Sequence, residues 1–340
     1  MTGLLAVAAM AMWLQAPPDA LSDQAQQLAM QKRYDEAEVL WKKALQAAPN
    51  HFPSLFNLGF MRYSLGQFAE AEGWFTKAAQ AKPDDFNSRY LLGTACLKQD
   101  RREDALRAWR TALAVQPKNY KLMQIMSVEY SNGYYYKEAC AVGRQAVALR
   151  GDTPEPWFVA IKACFEARDP ETLALTKQAV ERFPESARAN FEYGFQLQKA
   201  GLRDESLPYL RKAMNEDATY EEPFYFYGNL MLLDEQYQQA VGPLRTALKL
   251  RPDYVSACVA LAKALMGMDH NQEAKEALEG CARTSPTHPQ PHLFLSQVYF
   301  RLGEDEKATA EKLLSLRLRR ENPTIMESPQ ARPFPVTPRR

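Results

Sequence analysis

The chain has no long hydrophobic run. Its most apolar stretch, Gly3–Leu14, holds twelve residues, too few to cross a bilayer as a helix. It has no excess of charge of one sign. A net charge of +1 over 340 residues, with lysine and arginine interspersed among acids, leaves no basic stripe for nucleic acid. Cysteine is sparse, and Cys96, Cys140, Cys164, Cys258 and Cys281 form no CxxC pair. There are four histidines. His288 and His292 have a ligand-like separation, but Pro289 and Pro291 place them in a turn entering a helix, so no metal site is expected. There is no phosphate loop, nucleophile elbow or zinc motif. Carboxylates such as Asp84-Asp85 and Glu221-Glu222 begin helices, where they oppose the positive end of the helix dipole. These absences leave no catalytic residue, cofactor or small-molecule substrate to propose, so an enzyme is not expected.

What the chain does have is a period. Prolines at Pro49, Pro83 and Pro117 are 34 residues apart, and the ladder continues through Gly151, Pro184, Ala218, Pro252 and Pro286 with one step of 33. Small residues share that phase at Ala25, Gly59, Gly93, Ser127, Ala160, Gly194, Gly228, Ala262 and Ser296. A second small ladder runs through Ala37, Ala71, Ala105, Ala139, Thr172, Ser206, Ala240, Ala274 and Ala308. The two lie twelve residues apart, which suits two helices packed back to back with close axes. A third ladder from Ala44 and Ala78 lies two helical turns further on, on the same face. Each unit therefore reads as helix A, a tight turn, helix B and a turn closed by proline. The second unit predicts helix A near Pro53–Ser64 and helix B near Phe68–Ala81. No segment alternates with period two for long, so almost no strand is expected.

These residues resemble the tetratricopeptide repeat (TPR) family. The second unit carries Leu55, Leu58-Gly59, Phe68, Ala71, Phe75, Ala78 and Pro83, and the seventh is similar with Tyr227-Gly228, Tyr237, Ala240, Leu244, Ala247 and Pro252. The fourth and fifth units depart from the pattern. Gly143 stands for the helix B aromatic, Gly151 for proline and Thr172 for alanine, which predicts a packing gap and a weak joint across residues 131–156. The resemblance covers about residues 18–320 as about nine repeats. It implies an all-α fold: a right-handed superhelical solenoid of stacked antiparallel helix pairs.

It also implies that helix A lines a concave surface, through the second, fifth, ninth, twelfth and thirteenth residues of each unit. Those positions give Phe56, Phe60, Tyr63, Tyr90, Trp157, Phe165, Phe191, Phe195, Tyr225 and Phe300 as candidate groove residues. The fourth unit offers Lys121, Gln124, Val128 and Asn132 instead. The same spacing also suits packing on the next helix A, so groove and core both stand for each residue. Trp109 is expected in the core. Some family members clamp a terminal carboxylate with Lys at the fifth position and Asn at the ninth. Here Asn229 sits with Tyr225, so that clamp is absent. The expected function is a non-enzymatic scaffold binding a peptide or partner helix in an aromatic-lined groove. The alternative is a permanent structural subunit of an envelope-associated complex.

Both ends lie outside the repeats. Gly3–Leu14 followed by Gln15-Ala16 reads as a signal-peptide core with cleavage after Ala16, although the first basic residue is Lys32. Export to the periplasm or outside the cell is the expectation. The alternative is a cytoplasmic protein whose first helix packs on the first repeat. Residues 321–340 hold five prolines and are expected to be disordered. The cysteines fall at small or apolar repeat positions, which fits core packing. In an exported protein, Cys258 with Cys281, or Cys140 with Cys164, would meet between adjacent helices, and an odd count leaves one thiol over.

Overall fold

The computed structural model describes residues 16–322. Eighteen α-helices and no strand occur among the described residues. The described residues group into two compact units, one ending at Ala167 and the other beginning at Arg168. The first holds α1 (Pro18–Met30), α2 (Tyr34–Ala47), α3 (Phe52–Ser64), α4 (Phe68–Ala81), α5 (Phe86–Leu97), α6 (Arg102–Val115), α7 (Tyr120–Asn132), α8 (Tyr136–Arg150) and α9 (Pro154–Glu166). The second holds α10 (Thr172–Arg182), α11 (Ala187–Lys199), α12 (Arg203–Glu216), α13 (Glu221–Leu233), α14 (Tyr237–Leu250), α15 (Val255–Gly267), α16 (Asn271–Thr284), α17 (Pro289–Arg301) and α18 (Asp305–Glu321). The sequence ladders run through this boundary in phase, with α9 as helix A of the fifth repeat and α10 as its helix B. Glu321, assigned to the tail by composition, still belongs to α18. The tail from Pro323 onward and nearly all of the expected signal segment lie outside the described residues.

Local signals place the helix ends. Proline occupies the first turn of α1, α3, α9 and α17, where its missing N–H costs no helical bond. The Asp85 carboxylate accepts the Ser88 N–H at 2.7 Å, and Asn119 Oδ1 accepts the Leu122 N–H at 3.0 Å. Every A–B turn carries one residue in the left-handed region, in order Lys32, Gly66, Asp100, Tyr134, Arg168, Gly201, Glu235, Asp269 and Gly303. That residue reverses the chain and lets the next N–H reach back. Gln67 N–H donates to Arg62 C=O at 2.9 Å, and Tyr135 N–H does the same to Tyr130 C=O at 2.9 Å. Three of the nine are glycine; Tyr134 is the bulkiest of the others.

The small ladder works by letting a large helix B residue sit against helix A. A Cβ on Gly59 would lie 2.8 Å from the Phe75 ring, and one on Gly93 would lie 2.5 Å from the Trp109 ring. Trp109 is buried, as expected, and its Nε1–H donates to Tyr90 C=O at 3.0 Å.

The fourth repeat corrects the predicted gap. Gly143 leaves no hole, because its neighbours close in. A Cβ there would lie 2.9 Å from Ala160 Cα and 3.1 Å from Ser127 Oγ. Absence of a side chain has been used for closer approach of α8 to α9, rather than lost as a cavity. Ser127, buried at the same joint, donates its hydroxyl to Ala139 C=O at 2.8 Å.

The cysteines depart from simple core packing in the same region. Cys140 of α8 is disulfide-bonded to Cys164 of α9 within the first unit. Cys258 of α15 is bonded to Cys281 of α16 within the second. Cys96 is the free thiol; it is buried, and burial pushes its pKa up to about 11. For Cys96 the core reading holds, and the other four staple neighbouring helices.

Candidate partner-binding face

In the first unit, the candidate aromatics lie on α3 (Phe56, Phe60, Tyr63), α5 (Tyr90) and α9 (Trp157, Phe165). Phe60, at the ninth position of its repeat, is 51% exposed. Phe56 and Tyr63 flank it one turn away on the same helix and are half-buried. The Phe56 ring meets Phe75 at 5.9 Å and Phe52 at 5.8 Å, so its base is fixed in the core. Tyr63 packs edge-on against Phe68 at 5.3 Å. Partial burial, and beyond it the Tyr90 hydroxyl, raise the Tyr63 phenol above its ordinary value, so it remains a neutral donor. Tyr90 is half-buried and stacks on Phe86 at 5.8 Å. The result is a row of aromatic side chains anchored at their bases, with Phe60 projecting furthest.

Other candidates fall elsewhere, and four are corrections. Trp157 is buried in the first unit, donating its Nε1–H to Gly151 C=O at 3.0 Å. It fills the turn that the repeat proline usually occupies. Phe191, Phe195 and Tyr225 are buried in the core of the second unit. Phe191 meets Tyr220 at 5.2 Å and Phe226 at 5.5 Å; Phe195 meets Phe226 at 5.0 Å; Tyr225 meets Tyr254 at 4.8 Å. These three are core residues because Tyr220 and Tyr254, just before helix A, and Phe226 on its sixth position fill the space around them. Phe165 is half-buried. Phe300 is 71% exposed on α17 of the second unit.

Sequence reasoning missed a second surface feature. A cleft of about 470 Å³ lies between the turns after α5 and after α7, lined by residues 100–104 and 132–135. Tyr134, 76% exposed, stands at its edge. Its charges pair internally: Arg102 Nε lies 3.1 Å from Glu129, Arg101 meets Glu72 and Asp104, and Tyr135 donates its hydroxyl to Glu103 at 2.9 Å. The signal was the triplet Tyr134-Tyr135-Tyr136, where the other A–B turns are mostly polar.

The histidines have structural roles. His292 is buried, with Nδ1 2.7 Å from Glu311 and Nε2 3.2 Å from Pro286 O, tying α17 to α18. Among the described residues, no group of three or more His, Cys, Asp or Glu is arranged to hold a metal ion. No helix among them is long and apolar enough to cross a membrane.

Two family models match segments of the chain. Residues 30–112 match the family described as anaphase-promoting complex, cyclosome, subunit 3, and residues 255–288 match the tetratricopeptide repeat. No curated protein matches the sequence. Among solved structures, the chain is similar to YrrB, described as a TPR protein with an unusual peptide-binding site. The identity is 22% over 54% of this chain and 95% of that one, with a TM-score of 0.44. It is similar to yeast Tom70 at 16% identity, over 89% of this chain and 76% of that one, with a TM-score of 0.45. It is similar to MamA from Desulfovibrio magneticus RS-1 at 18% identity, over 49% of this chain and 96% of that one, with a TM-score of 0.45. The ladders, the paired helices and the matched segments together give the chain a repeat architecture of the tetratricopeptide type. Its repeat fold is that of a scaffold for protein–protein interaction.

Proposed function

We propose that the first unit binds an extended peptide or a partner helix along α3 and α5, as a non-enzymatic scaffold. The observation that carries this is Phe60, a large aromatic half out of the protein beside a row of anchored rings. A contiguous aromatic patch on a folded surface favours a partner, since burying each ring on binding is worth roughly 1.5–3 kcal/mol. Tyr63 and Tyr90 add hydroxyls that give orientation as well as area.

The test is a pair of variants read for stability and binding. Phe60→Ser with Tyr90→Ser should weaken capture of the native partner by about a hundredfold or more, with the unfolding midpoint nearly unchanged. Unchanged capture by the folded variant would remove α3 and α5 from the binding face.

We also propose that the protein is exported. Two disulfides fit an oxidising compartment, and the apolar run Gly3–Leu14 ending at Ala16 fits a removable leader. N-terminal sequencing of protein from its native host decides this. A first residue near Pro17 is expected, and an intact Met1 or Thr2 would overturn it.

A further inference from the structure

Glu192 on α11 has no exposed surface, and neither oxygen has a hydrogen-bond partner. Its nearest cation is Arg188 on the same helix, with Nε at 3.6 Å, beyond hydrogen-bond length. One turn on, the buried Gln196 amide nitrogen also lacks a partner. Across from α11, Glu222 of α13 is buried and Tyr220 precedes it, and both act electrostatically on this region. Arg251 is shared between Glu221 at 3.5 Å and Glu222 at 3.9 Å, and lies over the Tyr254 ring at 3.4 Å. The buried residues that α10 and α12 contribute are Thr, Leu, Ala, Val and Ser, with no ionisable group. A dry interior cannot hold the Glu192 charge cheaply without a hydrogen-bond partner.

We propose that the second unit is built around Glu192 as a neutral carboxylic acid, making its packing a pH-sensitive switch that tightens when the proton is bound and loosens when it leaves. Burial pushes the Glu192 carboxyl up to about 8; Arg188 offsets part of this and Glu222 adds to it. The folded pKa exceeds the ordinary value of 4.5, so the proton binds the folded state more tightly. The stability this gives is fully present below 4.5 and is lost as pH rises towards about 8. Mild acid therefore tightens the second unit, and alkali loosens it.

The test uses the full chain. Side-chain carboxyl NMR of labelled glutamate should show one resonance, assigned through Glu192→Gln, titrating near pH 8; titration below 6 would overturn the proposal. Hydrogen exchange over residues 187–233 supplies the second readout, comparing wild type with Glu192→Gln at each pH. Opening of the wild type should rise by up to about tenfold per pH unit between 4.5 and 8 relative to the variant. Residues 52–97 should show no such difference. Equal pH dependence in wild type and variant would defeat the switch. If Glu192→Gln fails to fold, Glu222→Gln serves instead, both for assignment and as a test. Removing that negative neighbour should shift the resonance titrating near 8 downward, and an unmoved titration would overturn the cluster.

Discussion

Two pairs of repeats, the second and third in the first unit and the sixth and seventh in the second, place aromatics at equivalent positions and treat them oppositely. In the first, Phe60 projects and Phe56, Tyr63 and Tyr90 are half-buried. In the second, Phe191, Phe195 and Tyr225 are enclosed. The difference arises from neighbours rather than from the residues themselves. The residue before helix A is His51 or Asp85 in repeats two and three and Ser186 or Tyr220 in repeats six and seven, and Tyr254 stands before helix A of the eighth. The sixth position is Asn57 or Leu91 in the first and Phe226 in the seventh repeat. Extra rings enclose Phe191, Phe195 and Tyr225, and none encloses Phe60. An aromatic at a groove position is a binding residue only where the residues around it leave it uncovered.

The sharpest way to break this comparison is to remove one ring from each side. Phe191→Ala should cost about 3–5 kcal/mol, because the ring is fully enclosed among three others. Phe60→Ala should cost less than about 1 kcal/mol, as for a surface substitution. Urea unfolding of the two variants decides it, and equal losses would erase the distinction between wall and core.

The second test concerns the joint at Gly143. Replacing Cys140 and Cys164 together by Ser should lower stability by about 3 kcal/mol, the loop-closure value for a bridge of this span. Proteolysis should then nick first near residues 131–156, the region that composition alone marks as weak. With the disulfide intact, that region should be no more sensitive than its neighbours.

The smallest effect lies at the turn after α7. Tyr134 holds a φ of 65°, a region that costs a non-glycine residue roughly 1 kcal/mol or more. Tyr134→Gly should therefore raise the thermal midpoint slightly. A lowered midpoint would mean that the exposed ring contributes to packing more than its surroundings indicate.

Most of the architecture was legible in the sequence because its causes are local or strictly periodic. The proline and small-residue ladders fixed nine repeats, and Gly59 facing Phe75 and Gly93 facing Trp109 are the contacts those ladders imply. The two cysteine pairings were legible as alternatives, since each pair is separated by about one helix hairpin. The Gly143 joint was misread because a missing side chain has two physical outcomes, a cavity or a closer approach. Only the position of Ala160 decides between them.

By itself, the sequence determined the period, the helix pairs, the tight turns and the back-to-back packing, since each is set within a single repeat. Tertiary structure alone decided which helix A aromatics are covered, which cysteines are bonded, and that Glu192 lies buried opposite Glu222. Those outcomes depend on side chains contributed by neighbouring repeats, and burial is a property of the assembled surroundings rather than of the residue.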